Sequence, residues 1–403
     1  MKLKLLIRNQ LRTWMHQGAH IIALMRVPFV SVVPNKIFVM TYQNAIACNP
    51  RYVVMNILKQ RPEAEIVWCV DKHTLAKYEI LRKSPADDDP IRKSNRVRFV
   101  KRATVRQMLE QASSEVWLDN AHNCIWYWIP KKRGQRYIQF WHGSLGIKRI
   151  DSEAQGKHWL KVAARSGRAT DLCCVNSRFE EEVFREAFWP NVRMEYTGHA
   201  RNDILFDEKQ KKTIKEKVCQ HYNIPKDAGL LLYAPTFRTD KSTDFMNADF
   251  EKWKAALQER FGGTWKIIVR FHHQNKEQRL QNSLDVINGS DYPDMQELMI
   301  AADVGVSDYS SWMFDYILLR RPCFIYAEDI SEYENDRGFY YPIRTTPFPI
   351  ADNNDAMVKQ IKCFQEEIYI QKLEEFLRDK GCMEDGHAAE RIVDLIFSKE
   401  NRK

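Results

Sequence analysis

The chain has 403 residues and a mass of 47.7 kDa, with 62 basic and 53 acidic residues and a formal charge of +9. Hydrophobic residues make up 44% of the chain and charged residues 29%, which excludes a wholly disordered or collagen-like protein. At about 150 residues per domain, this length predicts two or three domains.

The N-terminal segment, residues 1–35, is basic and apolar. Together with Lys36 it carries six basic residues and no acidic one, and its apolar run Gly18–Pro34 is interrupted by Arg26 and a proline. A membrane-spanning helix needs ~20 apolar residues, so this run is too short and too broken to cross a bilayer. It also lacks the clean apolar stretch and small-residue cleavage site of a signal peptide. Cations beside Trp14 and other large apolar side chains predict a helical segment that lies in an anionic membrane surface. The alternative is a helix packed on the domain with solvated charges.

In the first half of the chain, short β-rich runs alternate with helical stretches. Strands are predicted at Lys36–Thr41, Glu65–Val70, Val97–Val100, Glu115–Leu118, Arg136–Phe140 and Asp171–Val175. Helices are predicted at Asn49–Leu58, where apolar residues recur with a helical period, and at Arg178–Phe188, which Ser177 can cap. Strands separated by helices indicate βαβ units and therefore a parallel sheet.

Two charged stretches lie between these elements. The acidic run Asp87–Asp89 could bind a metal ion, but no second ligand cluster accompanies it, and we expect a solvated loop. The basic stretch Arg92–Arg106 could bind a phosphate-rich partner or lipid headgroups, or it could be a solvated face. Zinc-finger spacing, RNA-recognition signatures and zipper heptads are missing, so nucleic acid is not indicated as a partner. The nine cysteines contain no C-x-x-C pair, which argues against a zinc ribbon, and free thiols are typical of a reducing cytosol.

A histidine follows the fifth predicted strand, within the segment QFWHGSLGIKR. His142 at the carboxyl end of a strand, followed by Gly143 and Ser144, places an imidazole beside backbone N–H groups at a cleft. An imidazole can take a proton from a hydroxyl near neutral pH, so His142 is a candidate general base. The alternative is a hydrogen-bonded structural histidine.

The alternation of strands and helices restarts after a charged helix predicted at Asp207–Gln220. Further strands are predicted at Gly229–Ala234, Trp265–Phe271, Val286–Ile287, Ala302–Val306 and Pro322–Tyr326, and helices at Asp249–Phe261, Asp294–Ala301 and Ser311–Leu319. The sequence therefore predicts an α/β protein with two doubly wound, Rossmann-like domains that face a cleft, at residues 36–203 and 204–390, after a basic N-terminal helical segment. Ligands of such sheets lie at the carboxyl ends of the strands, so we expect the shared cleft to hold the site.

Two strand ends in the second half carry cationic side chains. The segment YAPTFR ends a strand in a proline turn and offers Thr236 and Arg238, although a plain turn is an equally good interpretation. In VRFHH, strand alternation places Arg270 and His272 on one face, which suits an anionic group. The alternative there is a partly exposed polar strand end.

The segment ADVGVSDYSSWMFDYILLRRP is the most informative one. An apolar strand runs into Ser307, Asp308, Tyr309, Ser310 and Ser311, and a helix follows. Small hydroxyl residues and backbone N–H groups at a helix N-terminus form an anion site, although one of these residues could simply cap the helix. The sequence contains neither a G-x-x-x-x-G-K-S/T phosphate loop nor a G-x-S-x-G elbow, so neither nucleotide hydrolysis nor a serine nucleophile is indicated.

In this order, the segments resemble the CDP-glycerol glycerophosphotransferase family of teichoic acid and capsule biosynthesis. The matching pieces run from about Asn49 to Tyr341 and are NPRYVVMNILKQRPEAEIVWCV, KKRGQRYIQFWHGS, TGHARND, YAPTFR, VRFH, YPDMQELMIAADVGVSDYSSWMFDYILLRRP and YENDRGFYY. The set in family order is far more specific than any single motif.

The resemblance implies a glycosyltransferase-B-like fold, in which residues 36–203 form the acceptor-side domain and residues 204–390 bind the donor. Members of the family move glycerol phosphate from CDP-glycerol to a hydroxyl of a lipid-linked or polymeric glycan and release CMP, and some relatives use CDP-ribitol. The resemblance further implies that no metal ion or other cofactor is needed. It also implies a peripheral protein at the cytoplasmic face of the bacterial membrane.

By the same resemblance, the two family histidines fall on His142 and His272. One would be the base acting on the acceptor hydroxyl, for which we favour His142, and the other would stabilise the phosphate charge or the leaving group. Donor-binding residues implied by the match are Arg238, Arg270, Ser307, Asp308, Ser310 and Ser311. Further candidates are Gly143, Ser144, Thr236, Arg201 and Asp203, of which the last two lie in the family segment that joins the domains.

The sequence departs from the family pattern at two motifs. Ser144-Leu145 replace Thr-Pro after W-H-G, and His199-Ala200 replace Tyr-Pro before R-N-D. These differences bear on the acceptor more than on the reaction. A nucleotide-sugar glycosyltransferase of the same fold remains an alternative, as does a non-catalytic membrane-docked protein, although both cleft histidines are present.

Overall fold

The computed structural model describes residues 2–126, 129–146, 148–150, 152–236, 247–271, 285–330 and 338–398. These residues form two parallel β-sheets, one in each half of the chain, with helices in most of the connections that the structure describes. Most apolar residues of the inner strands of both sheets are buried, as expected for parallel sheets covered by helices. All nine cysteines are unpaired.

The first sheet has seven strands in the spatial order β3-β2-β1-β4-β5-β6-β7. The strands are β1 (Val33–Met40), β2 (Glu65–Val70), β3 (Val97–Lys101), β4 (Ser114–Asp119), β5 (Arg136–Gln139), β6 (Leu172–Val175) and β7 (Arg193–Tyr196). Neighbouring strands pair in parallel, with Val39 of β1 opposite both Trp68 of β2 and Leu118 of β4. The order of strands reverses between β1 and β4, and ligands of doubly wound sheets bind outside the strand ends at such a switch point.

The second sheet has six strands in the order β10-β9-β8-β11-β12-β13. The strands are β8 (Gly229–Tyr233), β9 (Trp265–Val269), β10 (Val286–Asn288), β11 (Val304–Ser307), β12 (Cys323–Tyr326) and β13 (Ile350–Ala351). All pairs are parallel, and the switch point of this sheet lies between β8 and β11. The predicted α/β class with two doubly wound domains is therefore confirmed.

The described residues also form helices, several of which begin at a side-chain cap. They are α1 (Lys2–Arg26), α2 (Cys48–Gln60), α3 (Lys72–Lys83), α4 (Pro90–Lys93), α5 (Val105–Ser113), α6 (Asn123–Trp126), α7 (Ser152–Ala169), α8 (Arg178–Ala187), α9 (Glu208–His221), α10 (Phe250–Phe261), α11 (Met295–Ala301), α12 (Trp312–Tyr316), α13 (Asn354–Lys362), α14 (Glu366–Lys380) and α15 (Ala388–Phe397). Ser177 caps α8 as predicted, because its hydroxyl accepts a hydrogen bond from the Glu180 backbone N–H at 3.1 Å.

The predicted strands and helices are all present, with ends displaced by a few residues. Two strands were not predicted, β7 at an edge of the first sheet and β13 at an edge of the second. β7 has no fully buried residue, and β13 has only two residues. Edge strands of this kind carry little hydrophobic pattern, which is why the sequence does not reveal them.

The last helix, α15, belongs to the core of the first sheet although it follows the second sheet in the chain. Its apolar residues Ile392, Val393 and Ile396 join the buried cluster that contains Ile37 and Val39 of β1. Burying each of these side chains stabilises the fold by about 1.5–3 kcal/mol. The chain therefore passes between the two sheets twice, once before α9 and once before α15.

The N-terminal helix α1 and the turn that follows it pack on α5. Ala23 and Val27 are buried against Met108, Ala112 and Ile129. Large apolar side chains elsewhere on this segment are exposed, and we call this set the α1 apolar surface: Trp14, Met15, Ile21, Ile22, Met25 and Phe29. Within the described residues, no helix has the length and apolar character needed to span a bilayer.

The acidic run Asp87–Asp89 is not the solvated loop that we expected. Asp89 is buried, and its carboxylate accepts hydrogen bonds from the backbone N–H groups at the start of α4. It also forms an ion pair with Arg51 at 2.6 Å, and Asp87 pairs with Arg92 at 2.5 Å. Helix capping and internal ion pairs therefore explain Asp87 and Asp89, whereas Asp88 is exposed.

The basic stretch Arg92–Arg106 is engaged largely within the protein. Arg98 forms ion pairs with Glu65 and Glu110, and Arg96 donates hydrogen bonds to two backbone carbonyls. Because these side chains already form contacts within the protein, a phosphate-binding patch along this stretch is not indicated.

Candidate active site

Three residues that follow strands of the first sheet meet at its switch point. Tyr42 comes shortly after β1, Asn120 directly after β4, and His142 shortly after β5. The Asn120 amide oxygen accepts a hydrogen bond from the Tyr42 backbone N–H at 2.7 Å. The Asn120 backbone carbonyl lies 2.7 Å from Nδ1 of His142. One residue thus fixes the positions of the other two.

The His142 ring is held in one orientation and in its neutral form. A backbone carbonyl can only accept, so Nδ1 carries the proton and the neutral ring has its lone pair on Nε2. The Tyr42 ring stacks on the imidazole with centroids 4.4 Å apart and planes 2° from parallel. Burial lowers the pKa of His142 to about 4, the nearby Arg201 charge lowers it too, and the Asn120 carbonyl acts in the opposite direction. A neutral, oriented imidazole is able to accept a proton from a hydroxyl.

The residue before His142 has an unusual backbone conformation. Trp141 has φ of +54°, a region in which a side chain other than glycine is strained by about 1–3 kcal/mol. Its ring lies among buried aromatic rings of His122, Phe188 and Trp189, with centroids 4.8–6.0 Å away. This packing offsets the strain and sets the direction in which the chain presents His142.

Arg201 holds the segment after His142 against the second domain. Its Nε donates to the Asp315 carboxylate of α12 at 2.8 Å, and the guanidinium also donates to the Gly143 backbone carbonyl. Its backbone N–H donates to the Asn49 side chain at 3.1 Å. Both Arg201 and Asp315 are buried. The predicted residues Arg201 and Gly143 are therefore brought together, with Arg201 as the link between the domains.

The His142 loop also touches the second domain directly. A Cβ on Gly146 would lie 3.2 Å from Cβ of Ser311, closer than most side-chain contacts, so glycine permits the approach. The hydroxyl of Ser144 accepts a hydrogen bond from Asn176 at 3.1 Å. Ser144 therefore anchors the His142 loop within the first domain, and Ser311 of the second domain lies close to Gly146 of the same loop.

Several other predicted site residues lie at the switch point of the second sheet. The Asp308 carboxylate accepts from the Thr236 backbone N–H at 2.9 Å and also bonds its hydroxyl. The Ser307 hydroxyl donates to the Ala234 carbonyl at 2.7 Å. These bonds join the end of β8 to the end of β11. Ser310 and Ser311 are only half-buried at the same edge.

Lys148 extends this arrangement from the first domain. Its Nζ donates to the Thr236 hydroxyl at 3.0 Å and lies 6.0 Å from the centroid of the Tyr309 ring. A cation from the loop that carries His142 thus reaches the end of β8. Positive charge at this edge suits an anionic ligand.

Two predicted site residues have structural partners. Arg270 donates from Nη1 to the carbonyls of Gly289 and Tyr292, at 3.2 and 2.7 Å. Asp203 caps α15 by accepting from the backbone N–H groups of its first two residues, at 2.9 and 2.7 Å. Burial raises the pKa of Asp203 to about 6, and those two hydrogen bonds act against the rise. His272 and Arg238 lie outside the described residues, so their roles stay predictions.

A buried carboxylate that the sequence did not reveal supports both domain crossings. Glu384 accepts hydrogen bonds from the side chains of Asn176 and Asn202 at 3.1 and 2.9 Å, and from the His199 backbone N–H. The His199 ring lies 3.0 Å from Glu180. Burial raises the pKa of Glu384 to about 7, although His199 and Asn202 favour its charged form. His199, which replaces the tyrosine of the family pattern, thus lies beside two buried carboxylates, those of Glu180 and Glu384.

Sequence reasoning missed Tyr42, Asn120, Asp315 and Glu384. For the first two a signal exists, because each closely follows a buried strand at the edge where ligands of parallel sheets bind. Asp315 and Glu384 have no such local signal. In the part of the chain that the structure describes, no group of three or more His, Cys, Asp or Glu side chains is placed to hold a metal ion.

Comparison with known proteins gives a family match along most of the chain. The model of the family described as CDP-Glycerol:Poly(glycerophosphate) glycerophosphotransferase matches residues 23–398. The chain is 26% identical over 372 residues to the teichoic acid poly(glycerol phosphate) polymerase of Bacillus subtilis, covering 88% of this chain but 47% of that protein. The chain thus spans about half the length of this relative. It is 27% identical over 368 residues to the teichoic acid glycerol-phosphate transferase of Staphylococcus aureus, covering 87% of this chain and 89% of that one.

The fold has a close match among solved structures. The structure of the wall teichoic acid polymerase TagF aligns with a TM-score of 0.79 at 26% identity, covering 97% of this chain and 95% of that chain. The two proteins therefore share the same overall fold.

Proposed function

Because the chain belongs to the CDP-glycerol:poly(glycerophosphate) glycerophosphotransferase family, as its motifs predicted, we propose that it transfers glycerol phosphate from CDP-glycerol to a hydroxyl of a teichoic acid or capsule acceptor. In this reaction the acceptor oxygen forms a bond to the phosphorus that carries glycerol. The bond from that phosphorus to CMP breaks, and the hydroxyl proton passes to the enzyme. The observation that carries the proposal is the neutral His142 ring, fixed at the switch point of the first sheet on a loop whose Gly146 lies against Ser311 of the second domain.

In this proposal His142 is the general base, and Nε2 receives the proton. In the protein without donor, the low pKa of His142 keeps its ring neutral near pH 7, so that the ring can accept a proton. When the donor binds, its phosphates bring negative charge, which raises the pKa of a nearby histidine. The ring then becomes a better base in the complex than in the free protein. By the family resemblance, His272 would stabilise the phosphate or the departing CMP.

The donor side is assigned to residues 204–390 and the acceptor side to residues 36–203. We assign direct contact with the donor phosphates to the half-buried Ser310 and Ser311, together with Arg238. Ser307, Asp308 and Arg270 bond to protein atoms, which supports a positioning role for them. Phosphoryl transfer depends mainly on positioning and charge neutralisation, so hydroxyls and cations at this edge suit the chemistry.

The test is release of CMP from CDP-glycerol or CDP-ribitol, with membranes that supply a lipid-linked glycan acceptor. We expect CMP release with CDP-glycerol that depends on acceptor. Release with CDP-ribitol alone would change the polyol and keep the reaction class. Release of UDP from a UDP-sugar instead would establish the glycosyltransferase alternative. Donor binding without release, in folded protein with a competent acceptor, would favour the non-catalytic alternative.

We also propose that the protein is peripheral at the cytoplasmic face of the membrane, where a lipid-linked acceptor would be found. The α1 apolar surface supports this, because Met25 is 62% exposed and Phe29 88% exposed, and the exposed Arg26 lies between them. Apolar side chains beside a cation suit the interface of an anionic bilayer.

Replacing both Met25 and Phe29 by glutamate is expected to lower partitioning onto phosphatidylglycerol vesicles at least about tenfold. Two apolar contacts are lost, and 1.4 kcal/mol corresponds to about tenfold in binding. Cosedimentation measures the change. Ile80→Glu is the matched control, because Ile80 is 72% exposed but lies on α3. Equal binding of the double variant and the control variant would contradict the proposed membrane contact.

A further inference from the structure

Tyr42 is a residue that neither the sequence motifs nor the family match assigns a role. It lies just beyond β1, within the three-residue 3₁₀ turn Tyr42–Asn44, and is 38% exposed. A large aromatic ring with this exposure usually packs on apolar side chains. Here it lies flat on the imidazole of His142, with centroids 4.4 Å apart and planes 2° from parallel.

Asn120 bonds to both members of the Tyr42–His142 stack. Asn120 accepts the Tyr42 backbone N–H with its side-chain oxygen and lies at hydrogen-bond distance from His142 Nδ1 with its backbone carbonyl, each at 2.7 Å. The residues that follow β1 and β4 at the switch point therefore fix the position of the two stacked rings. Because ring planes and hydrogen bonds are both fixed, the stack restrains rotation of the imidazole.

We propose that Tyr42 is a positioning residue for the general base: its ring covers one face of His142, excludes water from that face and keeps Nε2 aimed at the acceptor hydroxyl. This inference rests on the proposed function only in naming the acceptor hydroxyl as the group toward which Nε2 points. The stack itself, and its effect on the protonation of His142, can be measured in the protein without substrate.

Other groups around His142 also influence its pKa. Arg201, from the segment between the domains, is a permanent cation that disfavours protonation of the ring. His122 lies behind Trp141, and burial lowers its own pKa to about 3, so it is neutral near pH 7. The Asn120 carbonyl acts in the opposite direction. Burial has the largest effect on the pKa of His142, and the stacked Tyr42 ring covers one face of the imidazole.

The experiment follows the pKa of His142 by NMR in the full-length protein labelled at the histidine rings, with a His142→Gln variant to assign the signal. We expect Tyr42→Ala to raise the pKa of His142 from about 4 to above about 5, toward the ordinary value of about 6.5. Tyr42→Phe keeps the ring and is expected to leave the pKa near that of the wild type. Tyr196→Ala is the matched control, because Tyr196 is 42% exposed on the edge strand β7.

Two outcomes would overturn the proposal. An unchanged pKa in folded Tyr42→Ala would show that the ring does not shield His142. An equal rise in Tyr42→Phe and Tyr42→Ala would assign the effect to the hydroxyl and not to the stacked ring. If Tyr42→Ala does not fold, Tyr42→Ser removes the same ring and gives the same test.

Turnover supplies a second readout that separates this proposal from the proposed function. With CDP-glycerol and acceptor, Tyr42→Ala is expected to lower kcat and to move the acidic limb of the kcat/KM profile to higher pH, in step with the pKa measured by NMR. Tyr42→Phe should restore both. A wild-type protein that releases no CMP but shows the NMR shift would refute the proposed function and leave the positioning role in place.

Discussion

Replacing His142 by asparagine is expected to lower kcat for CMP release by about 10²–10⁴-fold, the usual contribution of a general base. The asparagine amide can still donate to the Asn120 carbonyl that His142 Nδ1 now contacts, so the loop should keep its conformation. The variant has no basic nitrogen to receive the proton from the acceptor hydroxyl, because the amide lone pair is delocalised into the carbonyl group. Steady-state CMP release at saturating donor and acceptor measures the effect.

Two measurements separate loss of the base from loss of the fold in the His142 variant. Its affinity for CDP-glycerol by calorimetry and its melting temperature should match those of the wild type. His73→Asn is the matched control, because His73 is an exposed histidine on α3, and it should turn over normally. A His142→Asn variant with a near-normal rate would remove His142 from the role of base.

Replacing Arg201 by methionine is expected to lower the free energy of unfolding by about 3–5 kcal/mol, because Asp315 is left as a buried, unpaired charge. The variant also loses the donor to the Gly143 carbonyl, so kcat should fall as the His142 loop loosens. Chemical denaturation followed by circular dichroism measures the first effect, and CMP release measures the second.

A double variant and a surface control test whether the ion pair is the cause. Arg201→Met combined with Asp315→Leu should recover part of the lost stability, since both charges are then removed. Arg178→Met is the control, because Arg178 is an exposed partner 4.0 Å from Glu182, and such pairs contribute about 0–1 kcal/mol. Full additivity of the Arg201 and Asp315 variants would show that the two side chains do not act as a pair.

The strands that carry the site could be predicted from sequence because their signal is local. Apolar runs such as Gly229–Tyr233 are continuous and end at polar or turn residues, so both the strand and its exit are visible. The same reasoning placed His142, Thr236 and Ser307 at strand exits, and each lies there. The roles assigned to His142 and to the donor-binding residues stay predictions.

The partners of these residues could not be predicted, because they come from distant parts of the chain. Arg201 and Asp315 are 114 positions apart, and Asn202 and Glu384 are 182 positions apart. No periodicity or turn chemistry marks a carboxylate that becomes buried only when three segments pack together. The same limit explains the acidic run at Asp89, whose ion pair with Arg51 depends on the packing of α2 against α4.

The two passages of the chain between the sheets are bonded to each other along their length. One passage contains Thr197, His199 and Asp203, and the other contains Glu384 and leads into α15. The Glu384 carboxylate accepts from the His199 backbone N–H, Arg391 of α15 donates to the Thr197 carbonyl at 2.9 Å, and Asp203 caps α15. A paired connection of this kind bends as one piece, whereas a single linker would let the domains swing and twist freely. We therefore expect any relative motion of the two domains to be a rotation about an axis near this paired connection. Such a motion returns the loop of His142 and the sheet edge of Ser311 to the same relative position.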